Sequence, residues 1–456
     1  MKHLPIVLHQ IFRLFIVVSI VLASTLQTHA KRRGISLIRD AEIESLVRDY
    51  ARPLMRAAGL RSGSVRFYIV NDNSFNAFVS GRGMFINTGL LLQSETPGEV
   101  IGVIAHELGH IVGGHQIRLR QRIETAARIA RLTTFLGLGI GAAGAASKNG
   151  SVTSAGLSVA AGGGAFALRD VLRYQRSEES SADRTAATLL RKSKQSGKGM
   201  LRTFKRLGEN LAFLGRKINP YTLSHPLPKE RIANMKTVIK KSRYYNAKAS
   251  RSLRERHDMM RAKIAAYVGG HRYASALLQS KTLSPNARLY GDAIVTHLYG
   301  SPKRAIPKIN KLIKKQPKNA YAHEMKGEIM LRSGKASKAV KSFRKAVKLD
   351  KSKAGFIRIE LGHALLQTGK KKALKEAVTQ LTKGVRRDPS ATAGFQYLAM
   401  AYAQLGNTPR ALLASAELAV RTGKKREARN FAKRAQKGFK RGTPRWLRAE
   451  DIITHK

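Results

Sequence analysis

Val103-Ile104-Ala105-His106-Glu107-Leu108-Gly109-His110 decides how this 456-residue chain is read. Two histidines four positions apart on a helix differ by about 40° around its axis, so they face one point. A helix start precedes them: Thr96 can cap, Pro97 suits the first turn, and Glu99 completes a capping box. The helix is expected to run to about Ile111, with Gly113-Gly114 loosening its end. Around it, Val100, Val103, Ile104, Leu108 and Ile111 form an apolar stripe, and Glu107 falls inside that stripe. A carboxylate on a buried face is costly without a partner. His106 and His110 border the stripe, as ligands lining a cleft would. The H-E-x-x-H pattern therefore points to one Zn²⁺ per chain, held by His106 and His110, with Glu107 placed to activate water.

Zinc needs a third protein ligand. The spacing H-E-x-x-H-x-x-G-x-x-H would take it from position 116, which is Gln116. His115 comes one residue early, and a continued helix would turn it to the side opposite His106. The ligand is then expected from a later helix. Glu178-Glu179-Ser180-Ser181-Ala182-Asp183 is the best candidate, because Glu179 and Asp183 share one helical face. Glu179 would bind the metal and Asp183 would orient an imidazole. Glu178 remains an alternative ligand, though its face lacks Asp183.

Around this centre the chain divides by composition. Lys2, Arg13, the apolar run Leu14 to Ala23 and Thr28-His29-Ala30 read as a secretory signal cleaved after Ala30, so residues 1–30 are expected to be removed and the body exported. Residues 31–245 would form the domain that carries the motif. Ile38 to Leu60 has helical periodicity, and Ser64 to Val70 and Met84 to Asn87 read as strands. Residues 134–165 are rich in Gly and Ala, and Ser147-Lys148-Asn149-Gly150-Ser151 interrupts their apolar runs. So many glycines weaken a helix, so a mobile hairpin is preferred there over a membrane-touching loop, with peripheral membrane contact as the second reading. Residues 246–456 read as all-helical. The glycines at 300, 334, 369 and 406 recur at about the tetratricopeptide period, and Gly327, Ala339, Phe343 and Ala346 fit its code of small and aromatic residues.

With 43% hydrophobic residues there is enough apolar material for packed cores. The absence of cysteine excludes disulfides, thiolate metal sites and a cysteine nucleophile. The net charge of +57 would favour anionic surfaces and names no partner. Nucleic acid is disfavoured by export and by the lack of basic motifs interleaved with aromatic residues.

Residues 35–245 resemble the gluzincin peptidases that include HtpX and the CAAX prenyl protease. The resemblance rests on Asn76-Ala77-Phe78, Asn87-Thr88-Gly89-Leu90, the H-E-x-x-H helix and Glu179-Ser180-Ser181-Ala182-Asp183-Arg184. With the export signal and the trailing repeats, the whole chain resembles the BepA-type periplasmic metalloproteases. That resemblance implies a mainly α fold: an α+β zincin metallopeptidase domain with a small sheet, then an α-helical tetratricopeptide-type solenoid. It implies His106, His110 and Glu179 as zinc ligands, Glu107 as catalytic base and Asp183 as a supporting catalytic residue. In that group a histidine of a Ser-His-Pro segment can occupy the open metal position, which Ser224-His225-Pro226 matches. By analogy with zincins, the strand Met84 to Asn87 would pair with an extended substrate backbone. Implied partners are unfolded or misfolded proteins and, through the repeats, the outer-membrane β-barrel assembly machinery. The implied activity is proteolysis of misfolded or stalled envelope proteins. The competing reading is a chaperone or scaffold whose zinc site is latent behind His225. The integral-membrane branch is disfavoured, because the sequence lacks multiple uninterrupted apolar runs of about 20 residues.

Overall fold

The computed structural model describes residues 35–148, 150–213, 225–226 and 229–454. The expected signal segment, Asn149 and Ser224 lie outside the described residues. The chain divides into two compact units, Met1–Leu37 and Ile38–Lys456, and only residues 35–37 of the first are described.

In the second unit, α1 (Ala41–Ala57) starts at Asp40, whose side chain accepts from the Ile43 N–H. Its apolar face, including Leu46, Val47, Tyr50 and Leu54, is buried. Three strands follow: β1 (Arg66–Val70), β2 (Ala77–Ser80) and β3 (Gly83–Asn87). β3 is central. It pairs parallel with β1 (Ile69 opposite Ile86) and antiparallel with β2 (Phe78 opposite Phe85). β2 was not read from sequence. Its four residues are too short for alternation to register against the preceding turn signals.

The short α2 (Thr88–Gln93) leads to α3 (Pro97–Gly113). α3 begins where expected, but Thr96 donates its hydroxyl to Glu99 and does not cap a backbone N–H. Gly114 ends it at φ 64°, a left-handed conformation that suits glycine. Two long helices form a hairpin: α4 (His115–Ala146) and α5 (Gly150–Lys192). The glycines expected to weaken this region lie within continuous helices. Both helices are long and apolar enough, by length and composition, to cross a membrane. The lower part of α5 packs on α3, followed by α6 (Lys198–Phe213) and α7 (Lys229–Lys240).

The remainder is helical: α8 (Arg251–Tyr267), α9 (Gly270–Gln279), α10 (Pro285–Tyr299), α11 (Pro302–Lys315), α12 (Ala320–Arg332), α13 (Ala336–Leu349), α14 (Gly355–Leu366), α15 (Lys371–Arg387), α16 (Thr392–Gln404), α17 (Thr408–Arg421), α18 (Lys425–Gln436) and α19 (Pro444–Thr454). Gly334, Gly369 and Gly406 turn between paired helices with φ of 70°, 67° and 74°. A Cβ on Gly327 would stand 2.8 Å from the Phe343 ring, the small-against-aromatic contact read from the sequence.

Candidate metal centre

The site is assembled by α3 and α5, which meet at Gly109. A Cβ there would lie 2.7 Å from the Ala182 carbonyl oxygen, so glycine lets α5 approach closely enough to bring Glu179 to the histidines. His106, Glu107, Glu179, Asp183 and His225 are all buried, and His110 nearly so.

The ligand atoms converge. His106 Nε2 and His110 Nε2 are 3.1 Å apart. Glu179 Oε2 is 3.3 Å from His106 Nε2, and Glu179 Oε1 is 3.3 Å from His110 Nε2. His225 Nδ1 lies 3.3 Å from His106 Nε2 and 2.9 Å from Glu179 Oε1. These four residues are the group among the described residues whose donor atoms could hold one metal ion. Tetrahedral bonds of about 2.0–2.2 Å imply ligand–ligand edges of roughly 3.3–3.6 Å, and the observed spacings of 2.9–3.3 Å come close to what such an ion needs. The donor chemistry agrees. Imidazole lone pairs and a carboxylate facing one another in a dry pocket repel unless a cation or proton lies between them.

Each histidine is aimed by a second partner. His106 Nδ1 is 2.9 Å from Asp183 Oδ1. Arg231 holds Asp183 in turn, donating from Nε to Oδ2 at 2.6 Å and from Nη2 to Oδ1 at 3.0 Å, and its Nη1 is 3.0 Å from Glu179 Oε2. His110 Nδ1 is 3.0 Å from His115 Nδ1, and His115 Nε2 is 2.7 Å from Glu178 Oε2. Glu178, the alternative ligand, therefore faces away from the converging atoms, while Glu179 faces into them. The role of His115 was missed because α3 stops at Gly114 and the next helix re-aims the ring. No local periodicity in the sequence marks Arg231 for its role.

Burial is the largest influence on each group. It opposes protonation of His106, but the carboxylates of Asp183 and Glu179 outweigh it and raise that pKa to about 10. Burial raises Glu107 to about 7, the range of a working general base. Burial would raise Glu179, yet hydrogen bonds from the three histidines hold it well below the usual carboxylate range. Burial lowers His110 and His225. Glu107 Oε1 is buried and accepts no hydrogen bond from the described residues, with His225 Nε2 3.4 Å away.

Residues 38–239 match Peptidase family M48, and residues 300–354 match a tetratricopeptide repeat. The chain thus carries an M48 peptidase domain followed by tetratricopeptide repeats. A "Beta-barrel assembly-enhancing protease" of Escherichia coli strain K12 is 23% identical over 395 residues, covering 85% of this chain and 77% of that protein. A Vibrio cholerae serotype O1 protein provisionally given the same name is 28% identical over 303 residues, or 64% of this chain. The match spans 59% of the Vibrio protein, less than two thirds of its length. Among solved structures, yeast Tom70 is 14% identical with a TM-score of 0.35, covering 77% of this chain and 92% of that one. The M48 match spans the elements that build the centre, α3, α5 and α7, and the repeat match falls on α11 to α13.

Proposed function

We propose that the chain is a zinc-dependent endopeptidase of the H-E-x-x-H gluzincin type, exported to the periplasm, acting on misfolded or stalled envelope proteins in outer-membrane assembly. The observation that carries this reading is the convergence of His106, His110, Glu179 and His225 beside the buried carboxylate of Glu107. His106, His110 and Glu179 would hold the zinc, which when bound supplies Lewis-acid activation of water and of the scissile carbonyl. Glu107 takes the proton of the attacking water and delivers it to the leaving amine. Asp183 fixes the tautomer of His106, so that Nε2 presents its lone pair.

Extended substrate would add at an open sheet edge. β3 is paired on both sides, so it is not available for this, contrary to the expectation for Met84 to Asn87; β2, at one edge of the sheet, is paired on one side only among the described residues. The side chain of Gln116 touches that edge at Val79 O and Gly81 N. The assignment of residues 31–245 to catalysis and 246–456 to capture, or to docking on the assembly machinery, belongs to the same reading. A cavity of about 770 Å³ lies between the sheet-bearing part, which contributes Asp40, Ile43 and Asn71, and the helices that follow, which contribute Tyr267, Glu324 and Tyr397; it is apart from the metal centre and supports a binding role distinct from catalysis. The names of the relatives support the placement in envelope assembly.

The position of His225 favours a second reading, a repeat scaffold with a latent site. Its Nδ1 converges with the donor atoms of His106, His110 and Glu179 and its Nε2 faces Glu107, so it would stand where a substrate has to enter. One experiment separates the two readings. Zinc content and casein cleavage are measured for wild type, Glu107→Gln and His225→Ala. The protease reading expects about one zinc per chain in all three, cleavage lost in Glu107→Gln by about 10²–10⁴-fold and raised in His225→Ala. Zinc-loaded His225→Ala that prevents aggregation yet never cleaves would establish the scaffold.

A further inference from the structure

The proposed function leaves the outer part of the α4–α5 hairpin unused, and residues 132–168 are built inside out. The buried positions are small: Gly137, Gly141 and Gly144 on α4, Gly156 and Ala167 on α5. A Cβ on Gly137 would lie 2.5 Å from backbone atoms of Gly156 and Ala160, and one on Gly144 would lie 2.4 Å from the Thr153 nitrogen. The two backbones therefore touch along a seam of small residues spaced three or four apart, the way helices pack where apolar side chains gain nothing by turning inward. The large apolar side chains point outward instead. Phe135 is 77% exposed, Phe166 69% and Leu132 62%, with Leu136, Leu138, Leu157 and Leu168 also exposed. Taking Leu132 as 0°, Phe135, Leu136 and Leu138 fall at about 300°, 40° and 240° around α4. A protein groove covers one side of such a hairpin; apolar exposure on several sides matches an apolar solvent.

Length and charge agree. Between Arg131 and Arg169 the sequence holds one charge, Lys148 at the turn. Leu132 to Ser147 spans about 24 Å and Gly150 to Leu168 about 28 Å at 1.5 Å per residue, close to the thickness of a bilayer's hydrocarbon core. Below this section, Arg120, Arg122, Arg128, Arg131, Arg169, Arg173 and Arg176 are partly or fully exposed, with Glu124 and Asp170 among them. A collar of that composition complements anionic headgroups.

We propose that the hairpin inserts into a lipid bilayer carrying anionic headgroups, with the arginine collar at the phosphates and Lys148 directed to the far side. Glu179 follows Arg169 on α5 by ten residues, about 15 Å. α4 begins at His115, which touches His110. The same two helices thus anchor in lipid and complete the metal centre, holding it about 15 Å above the headgroups. One consequence rests on the protease reading: chains are cut close to a membrane surface.

The test uses the full chain and vesicles of phosphatidylglycerol with phosphatidylethanolamine, against vesicles of phosphatidylcholine alone. At least tenfold more protein is expected to float with the anionic vesicles. In a Trp446→Phe background, Phe166→Trp is expected to be quenched severalfold by lipids brominated on the acyl chain. Phe135→Glu with Leu138→Glu alters exposed positions, so the circular dichroism and melting curve should hold while flotation falls at least tenfold. Arg128→Gln, Arg131→Gln, Arg169→Gln and Arg173→Gln together should remove most of the preference for anionic vesicles. Equal flotation of the double Glu variant, or an unquenched indole at position 166, would overturn the proposal and leave only adsorption by basic surface. A dimer in light scattering that the Glu variant splits, with no flotation by the parent, would overturn it in favour of a second copy of the chain. None of these readouts depends on proteolysis, so their failure is distinct from failure of the zinc-peptidase reading.

Discussion

At the residue scale, His115 depends on one backbone angle. Gly114 at φ 64° ends α3, and the new helix turns the His115 ring onto His110 and Glu178. That chain of contacts aims His110 as Asp183 aims His106. Such outer partners are worth about 10–100-fold in metal affinity. His115→Phe is therefore expected to leave the fold intact and weaken zinc binding about 10–100-fold, read by competition with a chromophoric chelator; an unchanged affinity would show the contact to be incidental. Arg231 bears a heavier electrostatic role, because it is the buried cation between Asp183 and Glu179. Arg231→Met would strand two buried carboxylates and cost about 3–5 kcal/mol of stability by denaturant titration. Arg231→Lys should recover only part, since an ammonium cannot reproduce the bidentate fork. His106, Glu107 and His110 were legible because helical period and an apolar stripe are local properties. Glu179 and Asp183 were legible because an i, i+4 acidic pair stands out in a chain this basic. His115 was not, because its role turns on a single φ that no periodicity encodes.

At the scale of elements, the meeting of α3 and α5 fixes the spacing of the centre. Gly109→Ala would put a methyl 2.7 Å from the Ala182 carbonyl oxygen, so α5 must back away and draw Glu179 from the histidines. Overpacking of this kind costs about 1–3 kcal/mol. The variant should lose both thermal stability and zinc affinity, and loss of stability alone would mean that α5 is not what positions Glu179. The helices with caps and strong periodicity, α1 and α3, were read from sequence to within a few residues. β2 was not, and with it went the identity of the sheet edge. The helical continuity of the hairpin is hidden in the sequence for a related reason. Glycine weakens an isolated helix, but in α4 and α5 glycines are the contact surface, and that gain appears only when the partner helix is present.

At the scale of the molecule, composition marked a change near residue 245, yet the core does not stop there. One cluster of buried side chains runs from Ile43 through Met200 to Ile329. α8 is tied into the sheet-bearing part by polar contacts as well: Arg261 donates to the Leu92 carbonyl, and buried Lys263 pairs with Asp40 and Glu42. The most demanding of these contacts is His257. Its Nε2 lies 2.8 Å from the Ser94 carbonyl oxygen, so it donates there, and its Nδ1, 2.8 Å from the Tyr50 hydroxyl, accepts. Both nitrogens are satisfied in the neutral ring, and burial lowers the pKa to about 3. An unfolded chain protonates this histidine near its ordinary value of about 6.5. Between those values the unfolded state binds the extra proton, so stability falls as pH drops, by up to about 1.4 kcal/mol per unit. Wild type should therefore lose roughly 2 kcal/mol from this residue between about pH 6.5 and about pH 5, and His257→Gln should lack that component while being less stable at about pH 7.5. Urea titrations of the two proteins at the three pH values decide it. Parallel pH profiles would mean that His257 already carries a proton in the fold, and the join of α8 to α1 would then rest on packing and on ion pairs such as Lys263 with Glu42 and Arg256 with Asp49.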